Sequence, residues 1–287
     1  MSEVGNGRLC VVTGASSGIG RETARGIAEA GHSVVVVGRN PDKTRDAEAY
    51  VRGHAAAGAT ISSLCCDFAH HDQVRQLADE ILSRWDRLDV LVNNAGLWNK
   101  TRKMGPDGIE ETLAVNHLAP YLLTRLLLPR LQQGEPARIV HVSSRLHTGQ
   151  PTYAFDDMQF ESGFGAGGLG PYAQTKLANV MFSNALAHRL DPASVTSNSL
   201  HPGDLPSDIT RDQPLLHWAG KHARFLFPSL ASAARTSIYL ATDDTVTSVS
   251  GKYFKKCKPS KEHPVTLDRE ACERLWNLSA ELVGLEA

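Results

Sequence analysis

Short apolar runs alternate along the chain with longer segments of helical periodicity, and this alternation constrains the fold more than any other feature. The runs predict strands at Leu9–Thr13, Val34–Val37, Thr60–Cys66, Leu88–Val92, Arg138–Ser143 and Val195–Leu200. The intervening segments predict helices at Gly18–Ala30, Pro41–Ala57, His70–Arg84, Asp107–Leu131, Tyr172–Leu190 and Leu230–Thr242. Because runs such as Val34–Val37 are apolar without alternation, both faces of the sheet are expected to be buried. The sequence therefore predicts an α/β fold with a doubly wound parallel sheet in a three-layer sandwich.

Composition narrows the class of protein. The 287 residues suit a single domain over 1–287. The net charge of −1 leaves no basic surplus for a nucleic acid or an anionic membrane. Five cysteines without a Cys-x-x-Cys motif and 12 histidines without helical metal-ligand spacing predict neither disulfides nor a metal site. With no basic leader or long apolar run, the expected location is the cytoplasm, without a membrane span.

Two segments, 147–170 and 202–228, interrupt the strand and helix pattern. The first contains five glycines within eight residues, and the second is rich in proline, aspartate and aromatic residues. A flexible linker is an alternative for the first, but the sheet pattern resumes after it. Both are interpreted as irregular substrate-site segments that cover a pocket.

A glycine-rich turn joins the first predicted strand to the first helix. It reads Thr13-Gly-Ala-Ser-Ser-Gly-Ile-Gly20, which brings three glycines to a helix N-terminus, where phosphate groups bind. The spacing differs from Gly-x-Gly-x-x-Gly, and a plain turn is the alternative. Its place after the first strand favours a dinucleotide site.

The end of the second strand bears on the choice of cofactor. Arg39 stands where NAD-binding sites usually place an acidic residue for the ribose 2′-hydroxyl. A cation there suits a 2′-phosphate, so NADP(H) is favoured over NAD(H). A solvated arginine is the alternative, and nearby Asp42 is expected to cap the next helix.

A tyrosine and a lysine four residues apart point to acid–base chemistry. Tyr172 and Lys176 share one face of a predicted helix. A phenol has an ordinary pKa near 10. A neighbouring ammonium favours the phenolate and is expected to lower that pKa.

Six motifs together resemble the short-chain dehydrogenase/reductase family, whose fold is the Rossmann-type sandwich. They are Thr13–Gly20, Asn93–Gly96, Asn116, Val142–Ser144, Tyr172 with Lys176, and Pro202–Gly203. Val115–His117, Lys176–Asn179, Ser250–Phe254 and Glu273–Asn277 resemble more narrowly the retinol dehydrogenase-like branch. The resemblance implies hydride transfer between NADP(H) and an alcohol or carbonyl substrate, such as a lipophilic aldehyde or ketone.

The resemblance also implies roles for individual residues. The implied catalytic residues are Asn116, Ser144, Tyr172 and Lys176, with Tyr172 as acid or base, Ser144 on the substrate oxygen and Ser143 as the second choice for that serine. The implied cofactor contacts are Gly14, Ser16, Ser17, Gly18, Ile19, Gly20, Arg39, Asp67, Phe68, Asn93, Ala95, Gly96, Tyr172, Lys176, Pro202 and Gly203. The Asn93 and Asn94 amides tying adjacent turns together, and Asp67 capping a helix, are the structural alternatives.

Three features are particular to this chain. Pro120 cannot donate to the Asn116 carbonyl in a helix, which frees that carbonyl for a water in a proton relay or merely kinks the helix. Ser144 and Tyr172 are 28 positions apart, more than is common in the wider family. Asp204 follows Pro202–Gly203 where the family usually carries an apolar residue, which argues against a purely lipophilic substrate.

Other functions remain open on the sequence. A catalytically silent NADP-binding sensor or interaction protein is one alternative, and a carbon–carbon double-bond reductase is another. A sugar-nucleotide epimerase fits less well, because the chain leaves little room for a separate substrate domain. The expected partner is a small-molecule substrate, and a homodimer or homotetramer is expected.

Overall fold

A computed structural model describes residues 7–133, 136–203 and 229–287. One sheet of eight strands, all but the last parallel, runs through this part of the chain in the order β3-β2-β1-β4-β5-β6-β7-β8. The strands are β1 Leu9–Thr13, β2 Ser33–Gly38, β3 Ile61–Cys65, β4 Val90–Asn93, β5 Ala137–Val142, β6 Val195–His201, β7 Tyr253–Lys255 and β8 Lys258–Pro259. The strand order reverses between β1 and β4, and ligands bind at such a switch point in open α/β sheets.

Helices cover both faces of the sheet. They are α1 Gly18–Glu29, α2 Pro41–Arg52, α3 His71–Arg84, α4 Glu111–Leu113, α5 Ala119–Leu131, α6 Leu169–Arg189, α7 Leu230–Thr242 and α8 Arg269–Leu282. Helices α1, α2 and α7 form one layer, and α3, α5, α6 and α8 form the other. The predicted doubly wound three-layer fold is confirmed.

The core consists of two apolar clusters, one on each face of the sheet. Neighbouring residues of one strand contribute to opposite clusters: Val11 and Val35 to one, Val12 and Val34 to the other. All four are at most 1% exposed. Successive side chains of a strand point to opposite faces, so an unbroken apolar run is what a sheet covered on both sides requires.

The predicted helix Asp107–Leu131 is not one continuous α-helix. A π-helical turn, Ala114–Leu118, separates α4 from α5 and contains Asn116. Pro120 lies in the first turn of α5, directly after the π turn, and has no N–H to donate to a carbonyl of that turn. Single π-turns inside helices are frequent at functional sites, and this turn lies beside the groove described below.

The first irregular segment is fastened to the body of the protein. The Ala154 N–H donates to Gln174 Oε1 at 3.0 Å, and Arg102 Nε donates to the Gln159 carbonyl at 2.9 Å. Of the second segment, only Pro202 and Gly203 are described. Asp204 and the remainder up to residue 228 lie outside the described residues.

Helix α8, which the sequence pattern did not predict, covers part of α5 and α6. Trp276 of α8 packs edge-on against Tyr121, with ring centroids 5.2 Å apart. The Arg125 and Arg189 guanidinium groups lie over the Trp276 ring at 4.7 and 4.0 Å. Among the described residues, no helix has the length and apolar character needed to cross a membrane.

Candidate active site

A groove crosses the carboxyl ends of β1, β4 and β5 at the switch point. Its inner end is lined by the glycine-rich turn, Ser144, Tyr172 and Lys176, and by Pro202 and Gly203. Its outer end extends past Gly38 to Arg39, Asp67 and Phe68. Gly14, Ser17, Ala95, Gly96 and Trp98 line both ends, so the two ends form one continuous groove.

The glycine-rich turn forms a cradle that side chains would fill. Gly14 has φ +63°, and a Cβ there would lie 2.7 Å from the Ala95 Cα. A Cβ on Gly20 would lie 2.4 Å from the Gly14 carbonyl oxygen. Gly18, at the start of α1, has φ +58° and open space where a Cβ would stand. Its neighbour Ser17 makes no side-chain capping bond to α1. This geometry fits a pyrophosphate held by main-chain N–H groups at the helix N-terminus.

The outer end of the groove carries charged groups of both signs, including Lys103, Asp46, Asp67 and Glu111. Arg21, Arg39 and Lys43 line it, together with Ser16. The Arg39 side chain is 67% exposed and lies 3.9 Å from Asp67 Oδ2. An exposed pair at this distance holds its partners weakly, so the guanidinium can reorient towards an anion in the groove.

The two asparagines at the end of β4, Asn93 and Asn94, have different surroundings. Asn94 Nδ2 donates to the Thr13 carbonyl at 2.7 Å and thereby joins the ends of β4 and β1. Asn93 is buried, and its Nδ2 donates to Thr124 Oγ1 at 2.9 Å. The structure therefore directs the Asn93 side chain into the core, although Ala95 and Gly96 line the groove as expected from the resemblance.

Tyr172 and Lys176 meet at the inner end of the groove as their spacing predicts. The Lys176 ammonium lies 5.7 Å from the centroid of the Tyr172 ring and donates to the Val142 carbonyl at 3.0 Å. Ser144 and Tyr172 line the same pocket. Ser143 Oγ instead donates to the Lys176 carbonyl at 2.7 Å and is buried. Ser144 is therefore the serine available to a ligand.

Burial changes the expected proton affinities of this pair. It raises the pKa of Tyr172 to about 12, and the nearby Ser144 hydroxyl offsets part of that rise. Burial also lowers the pKa of Lys176 to about 8. The expectation that Lys176 holds the Tyr172 pKa below its ordinary value is therefore wrong for this state of the protein. The reason is that removing both groups from water disfavours both charged forms.

Asn116 holds the loop that follows β4. Its Oδ1 accepts from the Leu97 N–H at 2.7 Å, and its Nδ2 donates to the Leu97 carbonyl at 2.9 Å and to Thr175 Oγ1 at 3.0 Å. A Cβ on Gly96 would lie 3.2 Å from Asn116 Oδ1 and 3.3 Å from Lys176 Nζ. The Asn116 side chain therefore connects the groove wall to α6 beside Tyr172.

Trp98 also lines this site, and the sequence reasoning missed it. Its ring stacks on Tyr172 with centroids 5.0 Å apart and planes 15° from parallel. A large aromatic residue two positions after the Asn93–Gly96 motif was the signal available in the sequence. Among the described residues, no three His, Cys, Asp or Glu side chains gather to hold a metal ion.

Known proteins are similar to this chain in sequence and in fold. The sequence model for the short chain dehydrogenase family matches residues 8–155. Retinol dehydrogenase 12 from Homo sapiens is 36% identical over 280 residues, which cover 97% of this chain and 87% of the relative. An uncharacterized protein from Mycobacterium paratuberculosis has a crystal structure with a TM-score of 0.77 and 27% identity, over 97% of this chain and 94% of that one. A protein from Shigella flexneri, described as a short chain dehydrogenase and complexed with NADP, gives a TM-score of 0.69 and 25% identity, over 90% of this chain and 100% of that one. The chain belongs to the short-chain dehydrogenase family.

Proposed function

We propose that this protein is an NADP(H)-dependent oxidoreductase that interconverts an alcohol and a carbonyl compound. One observation carries the proposal: a buried phenol, Tyr172, lies with Ser144 and Lys176 at the inner end of a groove that begins in a glycine cradle. Family membership supports the reaction type. The whole of 1–287 acts as one domain in this proposal.

Tyr172, Ser144 and Lys176 have different roles in the proposed reaction. Because its pKa is about 12, the Tyr172 phenol is protonated at neutral pH and can donate its proton to a substrate carbonyl oxygen. The Ser144 hydroxyl donates to the same oxygen as negative charge develops on it. The Lys176 ammonium favours the phenolate that remains, and one of its three donors is held by Val142. A nicotinamide cofactor bound in the groove would supply or accept the hydride.

The cofactor contacts follow the groove from its outer end inwards. Arg39, with Arg21 and Lys43, would surround a 2′-phosphate, while Asp67 and Phe68 would contact the adenine. Ser16 to Gly20 would hold the pyrophosphate. The NADP complex of the Shigella flexneri relative supports this preference over NAD.

A relative and the apolar residues at the inner end support a lipophilic substrate. Retinol dehydrogenase 12 is named for a lipophilic alcohol. Trp98 and Leu146 stand on the pocket wall with Ser144 and Tyr172. We therefore assign the substrate to lipophilic aldehydes and ketones or the matching alcohols.

Steady-state turnover tests the proposal. The purified protein is assayed with NADPH and then NADH against aldehydes, ketones and retinal, with Tyr172→Phe in parallel. We expect turnover that prefers NADPH and that the variant loses. Tight NADPH binding without carbonyl turnover would point to the silent sensor or to reduction of a carbon–carbon double bond, which product analysis identifies. Absence of binding by either cofactor would overturn the proposal.

A further inference from the structure

Trp98 is held in place from both sides along the chain. On its N-terminal side, Leu97 is fixed by two hydrogen bonds to the Asn116 side chain. On its C-terminal side, the buried Asn99 donates from Nδ2 to Glu111 Oε2 at 2.7 Å. The loop therefore presents Trp98 at a fixed position in front of Tyr172.

The segment 163–170, which contains five glycines, fixes the orientation of the Trp98 ring. Indole Nε1 donates to the Gly167 carbonyl at 2.9 Å. Gly168 packs so closely that a Cβ there would lie 1.9 Å from the Asn99 carbonyl oxygen. The insertion between Ser144 and Tyr172 thus supplies the acceptor that determines how the indole stands.

The indole is only half-buried and still lines the pocket that contains Ser144 and Tyr172. One of its faces stacks on the phenol that would protonate the substrate. The rest of the ring lines the pocket next to the Tyr172 phenol, where a substrate carbonyl would bind.

We propose that Trp98 is a specificity-determining residue of the substrate pocket and that it selects carbonyl compounds whose carbonyl carbon carries a planar, conjugated group. This inference rests on the proposed function. A planar group lies against an indole with more contact area than a puckered ring of equal carbon number, and aromatic pairs gain beyond simple burial. The selection acts mainly on KM, because the ring contacts the substrate body rather than the reacting oxygen.

The test compares two aldehydes of equal carbon number, benzaldehyde and cyclohexanecarboxaldehyde, with NADPH. We expect Trp98→Leu to lower kcat/KM for benzaldehyde by about five- to tenfold more than for cyclohexanecarboxaldehyde, chiefly through KM. Trp98→Phe keeps a flat ring but loses the bond to Gly167, and we expect it to retain most of the preference. Trp276→Phe makes the same substitution in α8, and we expect it to leave the ratio unchanged.

A second measurement is independent of turnover. Binding of the unreactive amides benzamide and cyclohexanecarboxamide to the NADP⁺-loaded protein is measured by calorimetry, and Trp98→Leu should weaken benzamide binding selectively. Equal losses for both aldehydes and both amides, or no loss, would overturn the role of Trp98 while leaving the proposed function intact. A wild-type protein that reduces neither these aldehydes nor any compound of the wider panel would instead overturn the proposed function itself, and this inference with it.

Discussion

Lys176 donates from its ammonium to the main-chain oxygen of Val142, the last residue of β5, at a distance of 3.0 Å. A second bond runs in the opposite direction, from Oγ of Ser143, the residue after β5, to the Lys176 carbonyl at 2.7 Å. Both bonds are buried, so they are shielded from competition with water. The catalytic lysine proposed above is therefore positioned by the strand that also leads to Ser144.

We expect carbonyl reduction to weaken as pH rises through about 8. Burial lowers the pKa of Lys176 to about 8, so its ammonium is present below that pH and lost above it. The Tyr172 phenol, with its pKa raised to about 12, stays protonated throughout. The measurement is kcat/KM for NADPH from pH 6 to 10, because this parameter reports groups of the free enzyme.

The control for this profile is Lys176→Arg. A guanidinium keeps its charge in proteins, so the variant is expected to be slower but to show no fall near pH 8. Lys176→Met should be impaired at every pH. A wild-type profile that is flat through pH 8, or an arginine variant that keeps the wild-type fall, would contradict the assignment to Lys176.

Arg39→Glu is expected to reverse the cofactor preference. The Arg39 guanidinium lines the outer end of the groove, and a carboxylate there would repel a 2′-phosphate and accept from a 2′-hydroxyl. The ratio of kcat/KM for NADPH to that for NADH should fall by at least about tenfold, since a hydrogen bond to a charged group contributes about 1.5–3 kcal/mol.

Arg45→Glu provides the matched control for Arg39→Glu. Arg45 is 70% exposed on α2 and pairs with Asp42. It makes the same change in net charge without altering the groove lining. If both variants shift the ratio equally, the effect comes from the overall charge and the specific role of Arg39 is lost.

The sequence predicted what depends on local pattern. The unbroken apolar run Val34–Val37 identified a strand buried on both faces, and the spacing of Tyr172 and Lys176 brought them to one helix face. Trp98 was missed because its importance comes from Tyr172 and Gly167, both about seventy positions away. The direction of the Tyr172 pKa shift was also wrong, because a sequence reveals the neighbouring ammonium but not the depth of burial.

Two further features could not be predicted from the local sequence. They are the directions of the Asn93 and Asn94 side chains and the positions of the last two strands. Asn93 and Asn94 are adjacent residues of the same type, but successive side chains of a strand point to opposite faces. The Asn93 side chain therefore points into the core, and the Asn94 side chain points to the turn after β1. Strands β7 and β8 have only three and two residues, too few to produce a recognisable period. They are defined by pairing with β6 and with each other rather than by local sequence.

Gly168→Ala is expected to disturb the site through the loop that carries Trp98. Its φ of +67° is strained for alanine, and the new Cβ would lie 1.9 Å from the Asn99 carbonyl oxygen. Overpacking of this kind costs about 1–3 kcal/mol in the free energy of unfolding, which urea denaturation measures. Activity should fall as well, because Asn99 and its neighbour Trp98 must shift.

Gly165→Ala separates the clash from the backbone strain. Gly165 has a φ of +70°, and nothing lies within 4 Å of a Cβ there. This variant should lose less stability than Gly168→Ala and should retain Trp98 stacking and turnover. Equal effects at the two positions would show that backbone strain alone, and not contact with Asn99, accounts for the loss.

Two buried histidines are expected to make the protein sensitive to acid. Burial lowers the pKa of His117 to about 4 and, with a contribution from His117, that of His141 to about 3. Between these values and 6.5, the unfolded chain binds protons at both positions and the folded chain does not. Stability therefore falls as pH decreases below about 6.5, with a contribution of up to about 2.7 kcal/mol per pH unit from the pair.

His141→Leu should lower the slope by up to about 1.4 kcal/mol per pH unit, and Phe182→Leu is the control for packing. Phe182 touches both histidine rings, with centroid distances of 6.2 Å to His117 and 5.1 Å to His141, but has no proton to exchange. Its substitution should lower the free energy of unfolding by a similar amount at every pH. Urea unfolding at constant ionic strength between pH 4.5 and 7 measures both effects. Because a packing defect shifts the curve without changing its slope, a wild-type slope in His141→Leu would mean that His141 does not take up its proton on unfolding.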